Sequence, residues 1–396
     1  MSVSRPVTTI LLVLLVLLGS CTDDPPTGNK DGKGNVDFPN AIGMLWKYQV
    51  YDSLTQITDT VWLSLTDTLT SGSNGFVTRR SEKHVRAGLF DWQYLHFRGD
   101  TLEILDSVDA SSAGETVVFP LDLGSSWQGP VSADDTSVVT LVGRIDVPAG
   151  PFNDGARIDR SWNLDFEGGG NWSQTWLVPD IGMVYRYCLS QFSDGSSVTA
   201  TKNEVWELIG YDLTTFTLRR FPNKVGTEWV YEEIDSTSMG GDSVAVTFDT
   251  VTVTIADSGH FESGTAYTLW EFRSHREIDT QFVVTAEERI TFQQDTISSP
   301  LWDLYYNFPL AVGRTWGIYF IAPFAEVLDK ERVVTPVQTF PSCFHARMYG
   351  GGFNDYWHQD DWLVRDVGIV KSVRRQFGFW PEMTRTRTLV DYYVVP

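Results

Sequence analysis

From residue 38 onward, apolar and polar residues alternate along most of the chain. The segments Thr58–Thr70 (TDTVWLSLTDTLT) and Asp242–Ser258 (DSVAVTFDTVTVTIADS) place apolar side chains at every second position, with Thr, Asp or Ser between them. Such alternation is typical of β-strands with one buried and one solvent-facing side. No segment of helical length carries an apolar stripe at a 3.6-residue period. The pattern therefore predicts an all-β protein.

Turn signals separate the predicted strands. They are short runs rich in Gly, Asn and Asp, such as SGSNG, RGD, ADSG and GGG. Their spacing predicts roughly ten antiparallel strands in each half of the chain. A sheet of that size must curl or close to hide its edges. We therefore expect each half to be a large curved antiparallel sheet, either barrel-like or a sandwich.

The sequence contains a tandem duplication. FPNAIGMLWKYQVYDS, from Phe38, matches FPNKVGTEWVYEEIDS, from Phe221, and GGGNWSQTWLVPDIGMV, from Gly168, matches GGGFNDYWHQDDWLVRDVGIV, from Gly350. The order and offset of the matches predict two homologous units, residues 38–212 and 221–396. The joining segment TTFTLRR (214–220) is not rich in Pro or Gly, so we expect the units to pack against each other.

Each unit contains the motif F-P-x-x-x-G-x-x-W twice. Pro fixes its own backbone and keeps the preceding Phe extended, whereas Gly permits the positive φ of a tight turn. We interpret the motif as a corner, after which Trp begins a strand and covers the core. The alternative is an aromatic platform of four Trp side chains for a sugar or lipid. The motif residues are Phe38, Pro39, Gly43, Trp46, Phe119, Pro120, Gly124, Trp127, Phe221, Pro222, Gly226, Trp229, Phe308, Pro309, Gly313 and Trp316.

The N-terminus, residues 1–20, has the pattern of an export signal. Arg5 precedes an apolar run, Ile10–Leu18, that is short for a transmembrane helix. Leu18-Gly19-Ser20-Cys21 resembles the lipobox of bacterial lipoproteins. This resemblance implies cleavage before Cys21, a diacylglyceryl group on its thiol and acylation of the new N-terminus. Several acyl chains anchor a protein stably on a membrane. An ordinary secretory signal or an uncut anchor is the alternative.

Residues 21–37 are predicted to be a disordered tether, because Pro, Gly, Asp, Lys and Asn dominate this segment. Thr22 follows the predicted lipid-bearing Cys21, where an Asp would resemble an inner-membrane retention signal. In a host with two membranes we therefore expect the outer membrane.

Composition narrows the range of partners. Of the 396 residues 42% are hydrophobic, and this is enough for a substantial core. The net charge of −21 argues against a nucleic-acid partner and against a basic patch that grips anionic lipid. A protein, glycan or lipid partner stays open.

Two sets of residues suggest chemistry. Gly241-Asp242-Ser243 and Asp355–His358 resemble blocks of SGNH-type hydrolases, whose Ser requires an α/β fold; with no predicted helices, we expect no enzyme. His358, Asp360 and Asp361 have a metal-ligating composition but no counterpart in the first unit. We expect them to form a solvated loop, with no metal and no cofactor.

Cys188 and Cys343 lie in different units. Outside the cytoplasm they could form a disulfide that links the units, or they could be two buried free thiols.

As a whole, the repeat resembles uncharacterised modules of bacterial secreted proteins and lipoproteins. The carriers of the resemblance are FPLDLGSSW, VPAGPF and IGMV in the first unit; the second has TPVQTF in place of VPAGPF. The resemblance implies no established activity. We expect a membrane-anchored envelope lipoprotein with a non-catalytic binding or structural role. The alternatives are a carrier of a hydrophobic ligand inside a curved sheet and a glycan-binding protein.

Overall fold

The computed structural model describes residues 38–396, apart from residues 73, 164–169, 194–197, 239–243, 287, 294–303, 318–323, 352–355 and 379–381. The predicted signal peptide, Cys21 and the tether therefore lie outside the described residues, as do Gly241–Ser243 and Asp355. None of the helical segments in the described ranges has the length and hydropathy needed to cross a bilayer.

The first unit is one antiparallel sheet of twelve strands. Two six-strand meanders, β1–β6 and β7–β12, are joined side by side through the β1–β12 pair, so that the sheet order is β6-β5-β4-β3-β2-β1-β12-β11-β10-β9-β8-β7. The strands are β1 (Leu45–Asp52), β2 (Ile57–Ser71), β3 (Gly75–His84), β4 (Leu89–Arg98), β5 (Thr101–Leu105), β6 (Glu115–Val118), β7 (Ser126–Gln128), β8 (Thr136–Val147), β9 (Gly150–Asn163), β10 (Gly170–Val178), β11 (Gly182–Ser193) and β12 (Val198–Asp212).

The second unit repeats this topology, with the order β18-β17-β16-β15-β14-β13-β24-β23-β22-β21-β20-β19. Its strands are β13 (Glu228–Ser238), β14 (Val244–His260), β15 (Ala266–Arg273), β16 (Ile278–Ala286), β17 (Arg289–Gln293), β18 (Leu304–Asn307), β19 (Thr315–Gly317), β20 (Phe324–Val334), β21 (Thr339–Gly351), β22 (Tyr356–Val364), β23 (Gly368–Phe377) and β24 (Glu382–Tyr393). A 3₁₀ turn, Leu218–Arg220, lies between the two sheets.

The prediction of an all-β protein with two tandem curved sheets is confirmed, and the sheets are nearly closed and barrel-like. Twelve strands per sheet replace the predicted ten. The difference comes from the strands at the two ends of each sheet, which have only three or four residues: β6, β7, β18 and β19. Strands this short show too few alternations to be recognised in the sequence.

Each F-P-x-x-x-G-x-x-W motif begins one six-strand meander. Its glycine has φ between 81° and 95°, and its backbone N–H donates a hydrogen bond of 2.7–2.9 Å to a carbonyl of the second strand of the same meander. A positive φ of this size is costly for residues with a Cβ atom, so the turn requires glycine. The four pairs are Gly43–Leu65, Gly124–Val139, Gly226–Ile255 and Gly313–Val327.

The tryptophans of the first motif in each unit connect the two meanders below the β1–β12 or β13–β24 pair. The indole Nε1 of Trp46 donates to the carbonyl of Ile181 at 2.6 Å, and Trp229 donates to Val367 at 2.6 Å. The hydroxyl of Tyr48, two residues later, donates to the carbonyl of Met183 at 2.7 Å. The indole N–H groups thus find partners where the side chains are buried.

The tryptophans of the second motif span the seam where the sheet is not closed. Trp127 of β7 donates its indole N–H to the carbonyl of Thr116 of β6 at 3.0 Å, and Trp316 of β19 donates to Tyr305 of β18 at 3.1 Å. Trp46, Trp229 and Trp316 are buried and Trp127 is partly buried. The four rings therefore do not form an exposed platform.

The two units pack against each other, as the composition of the joining segment predicts. Phe216 of that segment is fully buried and forms an isolated β-bridge with Leu310 of the second unit. Leu45 of β1 belongs to the core of the second unit. Polar contacts add to this apolar contact, for instance the ion pair between Arg314 and Asp67 at 2.9 Å.

Lys330 of β20 is the most deeply buried cation of this interface, with 4% of its surface exposed. Its Nζ donates to the carboxylate of Asp212 at 3.1 Å, to the carbonyl of Gly43 at 3.1 Å and to the carbonyl of Thr214 at 3.3 Å. Three acceptors compensate for the water that the buried ammonium has lost.

Replacement of Gly43 by Ala should destabilise the protein more than replacement of Gly124 by Ala. Both change a residue with positive φ, which costs about 1–2 kcal/mol. At Gly124 an added Cβ would contact nothing within 4 Å, whereas at Gly43 it would lie 2.8 Å from the carbonyl oxygen of Leu310 in the other unit. Urea unfolding measures both losses, and equal losses would show that the contact between the units is not tight at Gly43.

The Asp212–Lys330 pair should make stability depend on pH in the acid range. Burial opposes the charge of Asp212, but Lys330 and the hydrogen bonds from Thr214 and Ser342 lower the pKa of the carboxyl to about 2. A lowered pKa contributes stability above about pH 4, and the contribution is lost as the pH falls through about 2. Because Asp212 is partly exposed, we expect about 1 kcal/mol. Asp212→Asn should lose this part of the acid dependence in chemical unfolding between pH 4 and 2; identical pH profiles would contradict the assignment.

Candidate binding cavities

The predicted site residues do not converge on one place. The motif residues lie at the corners, and Phe38 lines a void of about 30 Å³ beneath the polar layer of the first unit. Cys188 and Cys343 are both buried free thiols, so the disulfide alternative is not realised.

The prediction that His358, Asp360 and Asp361 form a solvated loop is wrong. All three lie on β22, and Asp360 and Asp361 are buried. Successive residues of a strand point to opposite sides, so Asp360 and Asp361 cannot share a ligand. The sequence looked like a loop because this strand carries polar residues on both sides.

The interior of the first sheet holds a cavity of about 390 Å³ above an apolar floor. Three arginines line it. Arg160 binds Asp135 through two hydrogen bonds of 2.8 and 2.7 Å, a bidentate geometry that satisfies its fork of donors. Arg186 donates to Glu115 at 2.9 Å and to the thiol of Cys188 at 3.0 Å.

Glu115 is the buried counter-ion of this cavity. Burial would raise the pKa of its carboxyl, but Arg186 and Arg160 outweigh this effect and lower it. Glu115 therefore stays charged and balances one of the guanidinium groups.

Arg80 is the third arginine of the first cavity, and it has no carboxylate partner among the described residues. Its guanidinium donates to the side-chain amide of Gln93, and its Nε is buried without a hydrogen-bond partner. Burial lowers the pKa of Arg80, and the neighbouring Arg186 acts in the same direction. An arginine nevertheless stays protonated, so its positive charge faces this cavity without an ion pair, while the charge of Glu82 acts on its pKa in the opposite direction.

The interior of the second sheet holds a cavity of about 420 Å³, again lined by three arginines. Arg387 donates to Glu233 at 2.6 Å, and Arg385 donates to Asp235 at 2.9 Å. These two pairs join β24 to β13 and neutralise two of the three guanidinium groups.

Arg374 of β23 has neither an ion pair nor a side-chain hydrogen bond within the described ranges of the chain. Its guanidinium lies 4.8 Å from the ring centre of Trp357. Burial and the nearby charges of Arg385 and Arg387 lower its pKa, while Asp361 acts in the opposite direction. The second cavity thus also contains one guanidinium without a carboxylate partner.

Asp361 lies fully buried beneath the polar layer of the second unit. Its Oδ2 accepts hydrogen bonds from the Tyr306 hydroxyl at 2.5 Å and from the Gln359 amide at 2.8 Å, while its Oδ1 has no described partner. Burial raises the pKa of Asp361. This carboxyl is therefore a weak counter-ion for Arg374.

Aromatic side chains supply the walls of both cavities. Trp162 and Trp206 line the first; Trp270, Phe272 and Trp357 line the second. No histidine lines either cavity in the part of the chain that the structure describes. The combination of a guanidinium with flat apolar walls can hold an anion that has an apolar or aromatic body.

These arginines are not among the residues predicted from the sequence, although the sequence contains a weak signal for them. Arg385 and Arg387 occupy alternate positions in TRTRT, in phase with the buried Leu389. Charged residues in the apolar phase of a strand indicate a polar interior. This signal is recognised only when it is known which residues of the strand are buried.

Comparisons with known proteins leave the family open. No family model matches the chain, and no curated protein matches it. Several solved structures are similar in part. A candidate lipoprotein from Parabacteroides distasonis is 9% identical over 46% of this chain and 100% of that chain, with a TM-score of 0.29.

A candidate exported protein with a YmcC-like fold from Bacteroides fragilis is 12% identical over 44% of this chain and 98% of that chain, with a TM-score of 0.28. A protein of unknown function of the DUF3598 family from Nostoc punctiforme is 11% identical over 89% of this chain and 98% of that chain, with a TM-score of 0.24. Similarities at these scores carry no argument about function.

Proposed function

We propose that this protein is a lipid-anchored, non-catalytic binding protein of the bacterial cell envelope, and that each barrel-like unit takes a small organic anion with an apolar or aromatic body. One observation carries the proposal: each cavity contains an arginine without a carboxylate partner among the described residues, Arg80 in the first unit and Arg374 in the second.

The charge of the unpaired arginines favours an anionic ligand. The Arg80 guanidinium, whose Nε is buried without a hydrogen-bond partner, has lost water without gaining a counter-ion, and this carries a cost in free energy. A carboxylate, sulfate or phosphate that enters the cavity would supply the missing acceptor, because these groups match the planar fork of arginine. Arg374 has the better geometry, since it lies against Trp357 and beside two further arginines.

The size and lining of the cavities favour a small ligand. Volumes of about 390 and 420 Å³ fall within the usual range of small-molecule sites. The carboxylates Glu82 and Asp91 in the first cavity, and Glu277 and Asp279 in the second, make the walls too polar for a purely hydrophobic ligand. A carrier of a hydrophobic ligand is therefore the weaker alternative, and an acidic sugar is a glycan that meets the same requirement.

The anion proposal predicts a preference between two fluorescent probes with the same ring system. 8-Anilinonaphthalene-1-sulfonate should bind at least tenfold more tightly than neutral N-phenyl-1-naphthylamine, since a charge-assisted hydrogen bond contributes about 1.5–3 kcal/mol. The mature chain from residue 21 with Cys21→Ser, which carries no acyl groups, is titrated with each probe. The double variant Arg80→Met, Arg374→Met should lose at least tenfold in affinity for the sulfonate and little for the amine.

Arg144→Met is the matched control, because Arg144 is an exposed arginine of β8 that is paired with Asp146. It should leave both affinities unchanged. Equal affinities for the two probes in the unaltered cavities, together with no effect of the double variant, would favour the hydrophobic carrier instead. Thermal unfolding verifies that the variants are folded.

The membrane anchor predicts a second result. The anchor is inferred from the export-signal pattern of residues 1–20 and from Leu18–Cys21, which makes Cys21 the attachment point. Cells expressing the full chain should incorporate radioactive palmitate into this protein, and Cys21→Ala should abolish the label. Equal labelling of both forms would contradict the lipoprotein assignment, and fractionation of the two membranes tests the outer-membrane location.

A further inference from the structure

Three potential metal ligands meet on the outer side of the second sheet, away from the cavity. Asp329 and Glu331 are two residues apart on β20 and so point to the same side. His345 lies directly opposite Asp329 on β21. Its Nδ1 is 3.6 Å from Asp329 Oδ1 and 3.6 Å from Glu331 Oε1, and all three ligand atoms lie within 4.8 Å of one another.

These separations are close to those of a metal site. Zinc bonds to nitrogen and oxygen are about 2.0–2.2 Å long, so two ligands of a tetrahedral ion lie about 3.3–3.5 Å apart. The two imidazole–carboxylate distances exceed this range by only about 0.1–0.3 Å. Small side-chain rotations would close the geometry around one ion.

A second layer of side chains already orients the imidazole. Nε2 of His345 lies 2.8 Å from Asp360 Oδ1, and Asp360 is in turn bound by Arg347 at 2.6 Å. The ring of Trp362 stacks on the imidazole at 4.5 Å with an angle of 15°. A carboxylate on Nε2–H leaves Nδ1 as the nitrogen that binds a metal once the ring has lost its second proton, and this arrangement is typical of metal-binding histidines.

Two of the three atoms that face the proposed ion lack a hydrogen bond within the described ranges of the chain, whereas Glu331 Oε1 accepts one from the Trp362 indole. Asp329 Oδ1 is buried without a hydrogen bond. His345 is only 9% exposed, and its Nδ1 makes no described hydrogen bond other than its two contacts at 3.6 Å. Of the neighbouring cations, Lys83 donates to the carbonyl of Leu328 and Arg347 donates to Asp360, while the charge of Lys83 also interacts with Asp329.

A proton on His345 Nδ1 competes with a metal ion for this site. Burial would lower the pKa of His345, but the carboxylates of Asp329 and Asp360 raise it to about 9. The same negative charges that hold a proton also attract a divalent cation, and metal binding releases the proton.

We propose that Asp329, Glu331 and His345 form a binding site for a divalent transition-metal ion of the zinc type. One imidazole and two carboxylates suit this class better than the all-oxygen shells of Ca²⁺ and Mg²⁺. Glu331 is the most exposed of the three, so the fourth coordination position faces solvent and can take water. The site is independent of the anion cavities.

The test is a titration of the metal-free mature chain with Zn²⁺ at pH 7.5, again with Cys21→Ser so that the N-terminal thiol cannot bind metal. We expect one ion per chain with micromolar or tighter affinity. Asp329→Asn and His345→Ala should each weaken binding at least tenfold, because each removes a direct ligand. Asp360→Asn should weaken it by about 10–100-fold through loss of orientation of the imidazole.

His84→Ala is the matched control. His84 also lies between two carboxylates, Asp59 and Glu82, but they contact opposite ring nitrogens and cannot share one ion. Zinc affinity should be unchanged in this variant. Circular dichroism verifies the fold, and Asp329→Asn keeps the test valid if His345→Ala does not fold. Three results would overturn the proposal. They are an Asp329→Asn variant that binds zinc as tightly as the unaltered protein, the absence of saturable zinc binding, and tighter binding of Ca²⁺ than of Zn²⁺.

Discussion

The unclosed seam of each sheet is the constraint on which the rest of the unit depends. The strands on either side, β6 and β7 or β18 and β19, stand at opposite ends of the ladder and do not pair. Unpaired edges are liable to slip or associate. The indole N–H of Trp127 or Trp316 makes a hydrogen bond across the seam, and the preceding glycine turns the chain so that Trp can reach it. The repeated motif thus bends each sheet around an interior.

The interior of each sheet has two parts, an apolar floor that stabilises the fold and an arginine layer that lines the cavity. Its apolar floor is formed by the corner tryptophans and the buried residues of neighbouring strands, and it supplies the main favourable term in folding. The arginine layer above the floor is expensive to bury and is only partly compensated. The two units share the apolar floor but not the residues of the arginine layer. Cys188 lies six residues after the glycine that begins β11, and Arg374 lies at the equivalent position of β23. The units therefore share a fold while different positions of it supply the cavity arginines.

The sequence was sufficient for features that repeat or alternate. The period of two predicted the strands, and the recurring glycine and tryptophan of the motif predicted the units and their corners. It was insufficient where side chains on both sides of a strand are polar, as at Asp360 and Asp361, because the pattern then resembles a loop. Nor could it reveal the cavities, since alternation separates the two sides of a strand without showing which inward side chains, such as Arg374, face an unfilled space.

Irregularity in β20 links the contact between the units to the proposed metal site. The register of β20 shifts around Leu328 and again before Val333, so the strand is not a regular ladder there. The carbonyls of Leu328 and Lys330 accept hydrogen bonds from Lys83 and Lys47 of the first unit. Asp329 lies between these two carbonyls. An ion that fixed Asp329 and Glu331 to His345 would restrict the same segment that the first unit binds, so metal binding and packing of the units would stabilise each other.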